Sequence, residues 1–366
     1  MNVERMQTLT KELIAIDSTS GREGQIVDYL TTYLSEAGLT VRQFEVTSGR
    51  HNILATWEQD THPTILFNTH IDTVAGHSGP YEDELRIYGR GACDTHGVLA
   101  AQLEALHDLK GEGRKGLGLL LVVGEEISHD GAIHAGRCPE VQEPSVLIVG
   151  EPTENRLMKS QKGRLKGDLT VHGIEGHSGY PEAFDSAVEK LGRFLNRLWQ
   201  ADWLVSKSDE GNTVNVTILE PSGPDNQIPG RAKVRLLFRC AEPAHHVEKK
   251  VLALFREASG ALPDRPGGHP HFDLKWDSAR NDPVTHLATL PDFDLGTAAY
   301  NTDIAYFGWN SCATFLLGPG SILQAHRDLH GDDWLSAEWI LKEEQIRGVE
   351  LYKKLVREVR VRDNSY

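Results

Sequence analysis

The chain has 366 residues, too many for one core of ordinary size, so two lobes or a large α/β domain carrying an insertion are expected. Its 38 lysines and arginines against 53 aspartates and glutamates leave a net charge of −15, which repels phosphate backbones and anionic lipid and argues against a nucleic-acid partner. The longest apolar runs, such as residues 119–123, fall far short of the roughly 20 residues needed to span a bilayer, so no membrane partner is expected either.

In chain order, the opening MNVERMQTLTKELIAIDSTS places Glu4, Arg5, Lys11 and Glu12 where a signal peptide needs an unbroken apolar stretch. It reads as an amphipathic helix of the fold, and a cytoplasmic protein is expected. Cys93, Cys138, Cys240 and Cys312 lie far apart without a C-x-x-C pair, which suits buried thiols better than a disulfide framework or thiolate zinc site. A second amphipathic helix covers 23–37. Apolar strands follow at 64–68, 118–123 and 145–149, with a leucine-striped helix at 97–109 between the first two. In such a sheet ligands gather beyond the carboxyl ends of the strands.

The pattern changes near residue 161. Alternation over 164–171, a helix at 183–199, strands at 213–219 and 232–238, a helix at 245–258 and a strand at 272–276 give a β-α-β-β-α-β order, the signature of a ferredoxin-like domain. Turn-rich runs at 221–229 and 263–270 read as its loops, and apolar residues resume at 313–317. The fold class is therefore α/β: a mixed or parallel-sheet domain formed by 1–160 and 277–366, with an α+β small domain inserted at 161–276.

Five polar clusters stand at the ends of these apolar runs. His70 and Asp72 follow the first strand, where a carboxylate two residues on can orient an imidazole; a capped strand-end histidine is the bland alternative. Asp94 lies in the glycine-rich GRGACDTHG and could simply start a helix. Glu125 and Glu126 follow the second strand, one free to bind a cation while its neighbour acts as a base, or both merely solvated. Glu151 follows the third strand, and His326 closes GPGSILQAH after the last. Each is weak alone. Together, two histidines and three carboxylates form a mixed N/O ligand set suited to zinc or another first-row divalent ion, and one bridging carboxylate would let five ligands serve two ions.

The motifs NTHIDTV, GRGACDTHG, GEE, VGEPT, EGHSG and LGPGSILQAH, in this order around an inserted domain, resemble the M20 family of di-zinc peptidases and deacylases over almost the whole chain. The resemblance implies two divalent metal ions, zinc with cobalt as the alternative. Asp94 is implied to bridge them, His70 and Glu151 to complete one site, and Glu126 and His326 the other. Glu125 is then the general base, Asp72 the orienter of His70, and His177 the small-domain histidine that polarises the scissile carbonyl. Asn226 and Arg239 are implied substrate contacts, with Gly318, Gly320, Ser321 and Thr302 shaping the pocket and Arg239 or the 318–321 backbone gripping a free carboxylate.

Length and LGPGSILQAH are most similar to acetylornithine deacetylase and related N-acyl amino acid deacylases. The implied reaction is amide hydrolysis of an N-acyl amino acid, N-acetylornithine first, as in arginine biosynthesis. An M20 amino- or carboxypeptidase, or a deacylase of succinyl-diaminopimelate, acetyl-lysine or acetyl-citrulline, is the alternative, and a non-catalytic homologue the remote one. Two departures bear on specificity: Thr95-His96 replaces the family's methionine and lysine after the bridging aspartate, and 283–300 is short for the helix many relatives carry before Thr302-Asp303. A homodimer through the small domain is expected, with His177 of one subunit completing its partner's site.

Overall fold

A computed structural model describes residues 1–57, 62–207, 211–221, 223–260 and 270–360. The chain divides into a large unit, Met1–Ser160, His286–Thr297 and Thr302–Tyr366, and a small unit, Gln161–Thr285 and Ala298–Asn301.

The large unit is built on a six-stranded mixed sheet in the order Thr40–Thr47, Arg50–Thr56, Leu117–Val122, Ile65–His70, Val146–Val149, Ala313–Leu316. The last four are mutually parallel and the first two form an antiparallel hairpin at the edge. Ile65–His70, Leu117–Val122 and Val146–Val149 are buried at every position. Burial on both faces is why the sequence shows them as unbroken apolar runs. Helices Val3–Ile14, Gly24–Glu36, His96–Gly111 and Lys342–Glu358 contribute apolar faces to the same core, including Leu99, Leu103 and Leu106 from the leucine stripe. Because the four parallel strands point the same way, their carboxyl ends and the loops that follow gather along one edge of the sheet.

The small unit has the expected β-α-β-β-α-β order. Its antiparallel sheet runs Thr213–Pro221, Arg231–Cys240, Gly163–His172, Phe272–Trp276, with helices Ala187–Trp199 and Ala244–Gly260. Arg231–Cys240 alternates in burial, and its inward face meets Phe194 and Phe255, whose rings stack at 4.5 Å. The boundary read at 276 falls short: 277–285 group with the small unit, because Asn281 and Val284 pair with Arg164 and Gln161 beside its first strand. The helix read from 183 begins at Ala187, after a short 3-10 turn at Pro181–Ala183, since Pro181 and the Ser186 cap hold back its start. Of the run 263–270, residues 263–269 lie outside the described residues. Among the described residues no helix is long and apolar enough to cross a membrane.

Candidate metal centre

The carboxylate of Asp94 faces two imidazoles at once. Its Oδ1 lies 3.1 Å from His70 Nε2 and its Oδ2 lies 3.3 Å from His326 Nε2, while His326 Nε2 is also 2.9 Å from Glu126 Oε1. Two overlapping groups result, His70 with Asp94 and Glu151, and Asp94 with Glu126 and His326; within each, the donor atoms lie within 4.8 Å of one another. Metal–ligand bonds of about 2.0–2.2 Å place neighbouring ligand atoms roughly 3 Å apart, so the spacings fit two cations sharing Asp94. Topology explains the convergence. His70 ends one parallel strand, Glu126 and Glu151 follow the next two, and His326 closes the loop after the fourth.

Each donor is fixed locally. His70 Nδ1–H donates to the carbonyl oxygen of Asp72 at 2.8 Å, which leaves Nε2 as the nitrogen directed at Asp94 and the one a metal ion would take. The Asp72 carboxylate lies 3.6 Å from the same nitrogen, so residue 72 faces that edge of the ring with both its carbonyl and its side chain. The carboxylate is itself held by Ser20 Oγ at 2.6 Å and by the backbone N–H groups of Glu125 and Glu126 at 3.0 and 3.3 Å, all of which it accepts from. Gly124 enters that turn at φ 74°, where a Cβ would lie 2.0 Å from Asp130 Oδ1. The two glutamates then diverge, Glu126 toward His326 and Glu125 toward His129, whose Nδ1 is 3.5 Å from Glu125 Oε1.

Burial raises the proton affinity of Glu126 and Glu151, and it pushes Glu125 up to about 8 despite His129 and His70 nearby. Against its own burial, His326 rises to about 11 through hydrogen bonds with Asp94 and Glu126, while Asp94 is held well below the usual carboxylate range by His326 and His70. Protons thus occupy imidazole positions that divalent cations would take, and cation binding would release them. The donor set fits the implied pair of ions.

Two residues escaped the sequence reading. Glu338, fully buried, accepts from the backbone N–H groups of Cys93 and Asp94 at 3.0 Å each, from that of His326 at 3.2 Å, and from Arg90 Nη1 at 3.0 Å. It ties together the loops that carry Asp94 and His326. Its only sequence signal was Arg90 in GRGACD, a cation that needs a carboxylate once buried. The other is His129, described below. His96, at the departure from the family pattern, is buried with Nε2 3.3 Å from Ser18 Oγ, and burial pushes it down to about 3, so it is neutral where the family carries a lysine.

The expected pocket residues are more scattered. The Gly318 N–H donates to Thr153 Oγ1 at 2.9 Å and the Ser321 N–H to Gln324 Oε1 at 3.0 Å, so these two amides are already used in tying the loop down and are not a carboxylate grip. The Gly320 carbonyl accepts from the Glu154 N–H at 2.6 Å. Thr302 is fully buried, and its hydroxyl accepts from the Ile304 N–H at the start of the 3-10 helix Asp303–Ala305. In the small unit, exposed His177 pairs with Gln227, and its Nδ1 accepts from the Gly179 N–H at 3.1 Å; the Asn226 carbonyl accepts from the Ser178 N–H at 3.0 Å. Those two are neighbours. Arg239, which donates to the Asn301 side chain, lies at the other end of the sheet, opposite Arg164 in register, whereas Arg231 at the His177 end is opposite His172. The structure does not bring Arg239 together with His177 within one small unit.

A family model described as a peptidase dimerisation domain matches residues 159–265. A peptidase M20 domain-containing protein of Schizosaccharomyces pombe is 32% identical over 359 residues, covering 96% of this chain and 84% of that protein. A probable carboxypeptidase of Uncinocarpus reesii is 30% identical over 375 residues, covering 88% of this chain and 82% of that one. Among solved structures, a tripeptidase from Staphylococcus aureus superposes with a TM-score of 0.77 at 18% identity, covering 98% of this chain and 100% of that chain. These likenesses are to peptidases, and the acetylornithine specificity expected from LGPGSILQAH finds no support in them.

Proposed function

The chain belongs to the M20 peptidase family, and from that premise we propose that it is a two-metal exopeptidase that releases the C-terminal residue of a dipeptide or short peptide. The observation that carries this reading is Asp94 held between His70 and His326 while Glu125, next to a ligand candidate, points elsewhere. The likeness to a probable carboxypeptidase favours a peptide over an N-acetylated amino acid as substrate.

His70, Asp94 and Glu151 would hold one divalent ion and Asp94, Glu126 and His326 the other, zinc being the best match to this N/O set with cobalt as the alternative. Bound there, the ions would supply Lewis acidity to the substrate carbonyl and to the attacking water. Glu125 takes a proton from that water and returns it to the departing amine. His177 stabilises the developing oxyanion, while Arg239 and Asn226 recognise the substrate's polar ends.

A panel of dipeptides, tripeptides and N-acetyl amino acids, N-acetylornithine among them, tests the substrate class. Expected is a kcat/KM for the best dipeptide at least about a hundredfold above that for N-acetylornithine, a gap of roughly 3 kcal/mol in transition-state binding. Acetate release as the dominant activity would return the deacetylase reading. Glu125→Gln should slow turnover by about 10²–10⁴ with two metal equivalents retained, whereas Glu126→Gln should lose metal and rate together.

A further inference from the structure

Beside the candidate metal ligands lies a third group of donors, Glu125, His129 and Asp303, of which no sequence motif marked His129. His129 Nδ1 is 2.9 Å from Asp303 Oδ1 and 3.5 Å from Glu125 Oε1, so one ring nitrogen faces two carboxylates. Both His129 and Asp303 are almost wholly buried, at 4% and 2% exposure. The ring lies flat on Tyr306, centroids 3.9 Å apart and planes 13° from parallel. Asp303 and Tyr306 belong to the same short turn, which Thr302 caps, so one small element supplies both the carboxylate and the stacking face.

A structural explanation would be that His129 caps the helix Asp130–Ala135, where it occupies the N-cap position. Its side chain makes no capping hydrogen bond. The backbone there is left-handed, φ 54°, with its N–H donated to Gly124 O at 2.7 Å, a conformation that is uncommon for a residue with a Cβ. The fold thus holds an imidazole rigidly in an unfavoured backbone position, with one nitrogen facing the carboxylate of Glu125.

We propose that His129 and Asp303 are a positioning pair for Glu125: Asp303 accepts the His129 Nδ1–H at 2.9 Å and so fixes the ring, whose same polar edge, 3.5 Å from Glu125 Oε1, holds the Glu125 carboxylate electrostatically in the orientation from which it accepts and returns a proton. Asp72 already fixes the backbone N–H of Glu125 at 3.0 Å, so the pair would fix its other end. The inference rests on Glu125 being the general base. A flexible carboxylate must be placed for the proton it takes, and displacement by about 1 Å can cost on the order of a hundredfold in rate.

The test uses the metal-loaded full chain with its best dipeptide substrate. His129→Asn keeps a residue type that tolerates positive φ, and Asp303→Asn keeps shape while removing the charge. Each should lower kcat by about 10- to 100-fold, with KM changed less than about twofold and two metal equivalents retained. The double variant should be no slower than the slower single, since the two act as a unit. In a Glu125→Gln background neither substitution should lower the rate further. In the metal-free protein, Asp303→Asn should also shift the downfield imidazole proton signal of His129, read by NMR against His129→Asn. Effects that multiply with Glu125→Gln, an unchanged kcat, or a loss explained wholly by lost metal would overturn the proposal. If His129→Asn does not fold, Asp303→Asn reads the same coupling and decides alone. Full activity of Glu125→Gln itself would instead overturn the general-base reading, so the two failures are distinct.

Discussion

Glu338 shows how much of the site rests on a residue that binds nothing itself. Its carboxylate accepts from three backbone N–H groups, two of them belonging to Asp94 and His326, and from Arg90. Glu338→Gln would turn one acceptor oxygen into an NH2 facing donors, leaving at least one buried N–H unpaired and Arg90 without its counter-charge there. We expect a loss of about 3–5 kcal/mol in stability, the usual result of breaking a buried charge pair, and weaker metal retention at both positions together because the two loops are tied through one side chain. Thermal melts and metal content after dialysis check this; loss from one position only would contradict the shared brace. That His70, Asp94, Glu126, Glu151 and His326 come together was legible because each stands where an apolar strand or a glycine-rich loop ends, along the edge of a parallel sheet where ligands gather. Glu338 was not legible, because its partners Asp94 and Cys93 lie 244 and 245 positions away in sequence and no local pattern announces such a contact. His129 was hidden for a related reason: its partner Asp303 lies 174 positions away.

At the scale of elements, the sequence was readable wherever burial was complete or cleanly alternating. The central strands and all six elements of the small unit stand within a few residues of their expected positions. The hairpin Thr40–Thr47 with Arg50–Thr56 escaped notice because its outer strand, TVRQFEVT, lies at the sheet edge and mixes charged with half-exposed residues. The helix Lys342–Glu358 is so rich in charge that its apolar stripe is narrow, and only packing onto the core makes its role plain. The segment 277–285 was misassigned because short bridges, not a periodic element, attach it to the small unit. Asp277 anchors it, accepting from the Ala279 N–H at 3.0 Å and pairing with Lys166 at 3.0 Å and Arg164 at 3.3 Å. Burial alone would raise its proton affinity, but these partners outweigh burial and bring it down to about 2. The folded state therefore holds this proton less tightly than the unfolded chain does. The resulting stabilisation is full above the ordinary aspartate value near 4 and fades as pH falls toward 2. Asp277→Asn should cost about 1 kcal/mol at pH 6 and progressively less below pH 4, as denaturant melts of the two proteins at each pH would report. An equal penalty at pH 6 and pH 2.5 would show that the carboxylate's charge is not the source.

For the whole molecule, the separation of His177 from Arg239 constrains how an active site can be assembled. Both are expected to meet the same small substrate, yet one lies near the Arg231 end of strand Arg231–Cys240 and the other close to its far end. Eight residue steps at about 3.3 Å place the two ends of that strand roughly 25 Å apart, several times the reach of a side chain and longer than a dipeptide. One rigid small unit therefore cannot offer both residues to one dipeptide, and if both meet the same substrate one of them would come from a second copy. The match of residues 159–265 to a peptidase dimerisation domain makes a homodimer through this unit the natural source. We expect His177 to act in trans and Arg239 in cis. Mixing Glu125→Ala with His177→Ala, each inactive alone, tests this. After subunit exchange about half the dimers are mixed, and in each mixed dimer one site has its own Glu125 and its partner's His177. Activity should rise to about a quarter of wild type. If His177 served its own subunit, no site in the mixture would be complete. Activity remaining at the level of the separate variants, with exchange verified by differently tagged subunits, would reject the trans arrangement for His177 and leave either Arg239 as the residue supplied by the second copy or one of the two residues away from the substrate.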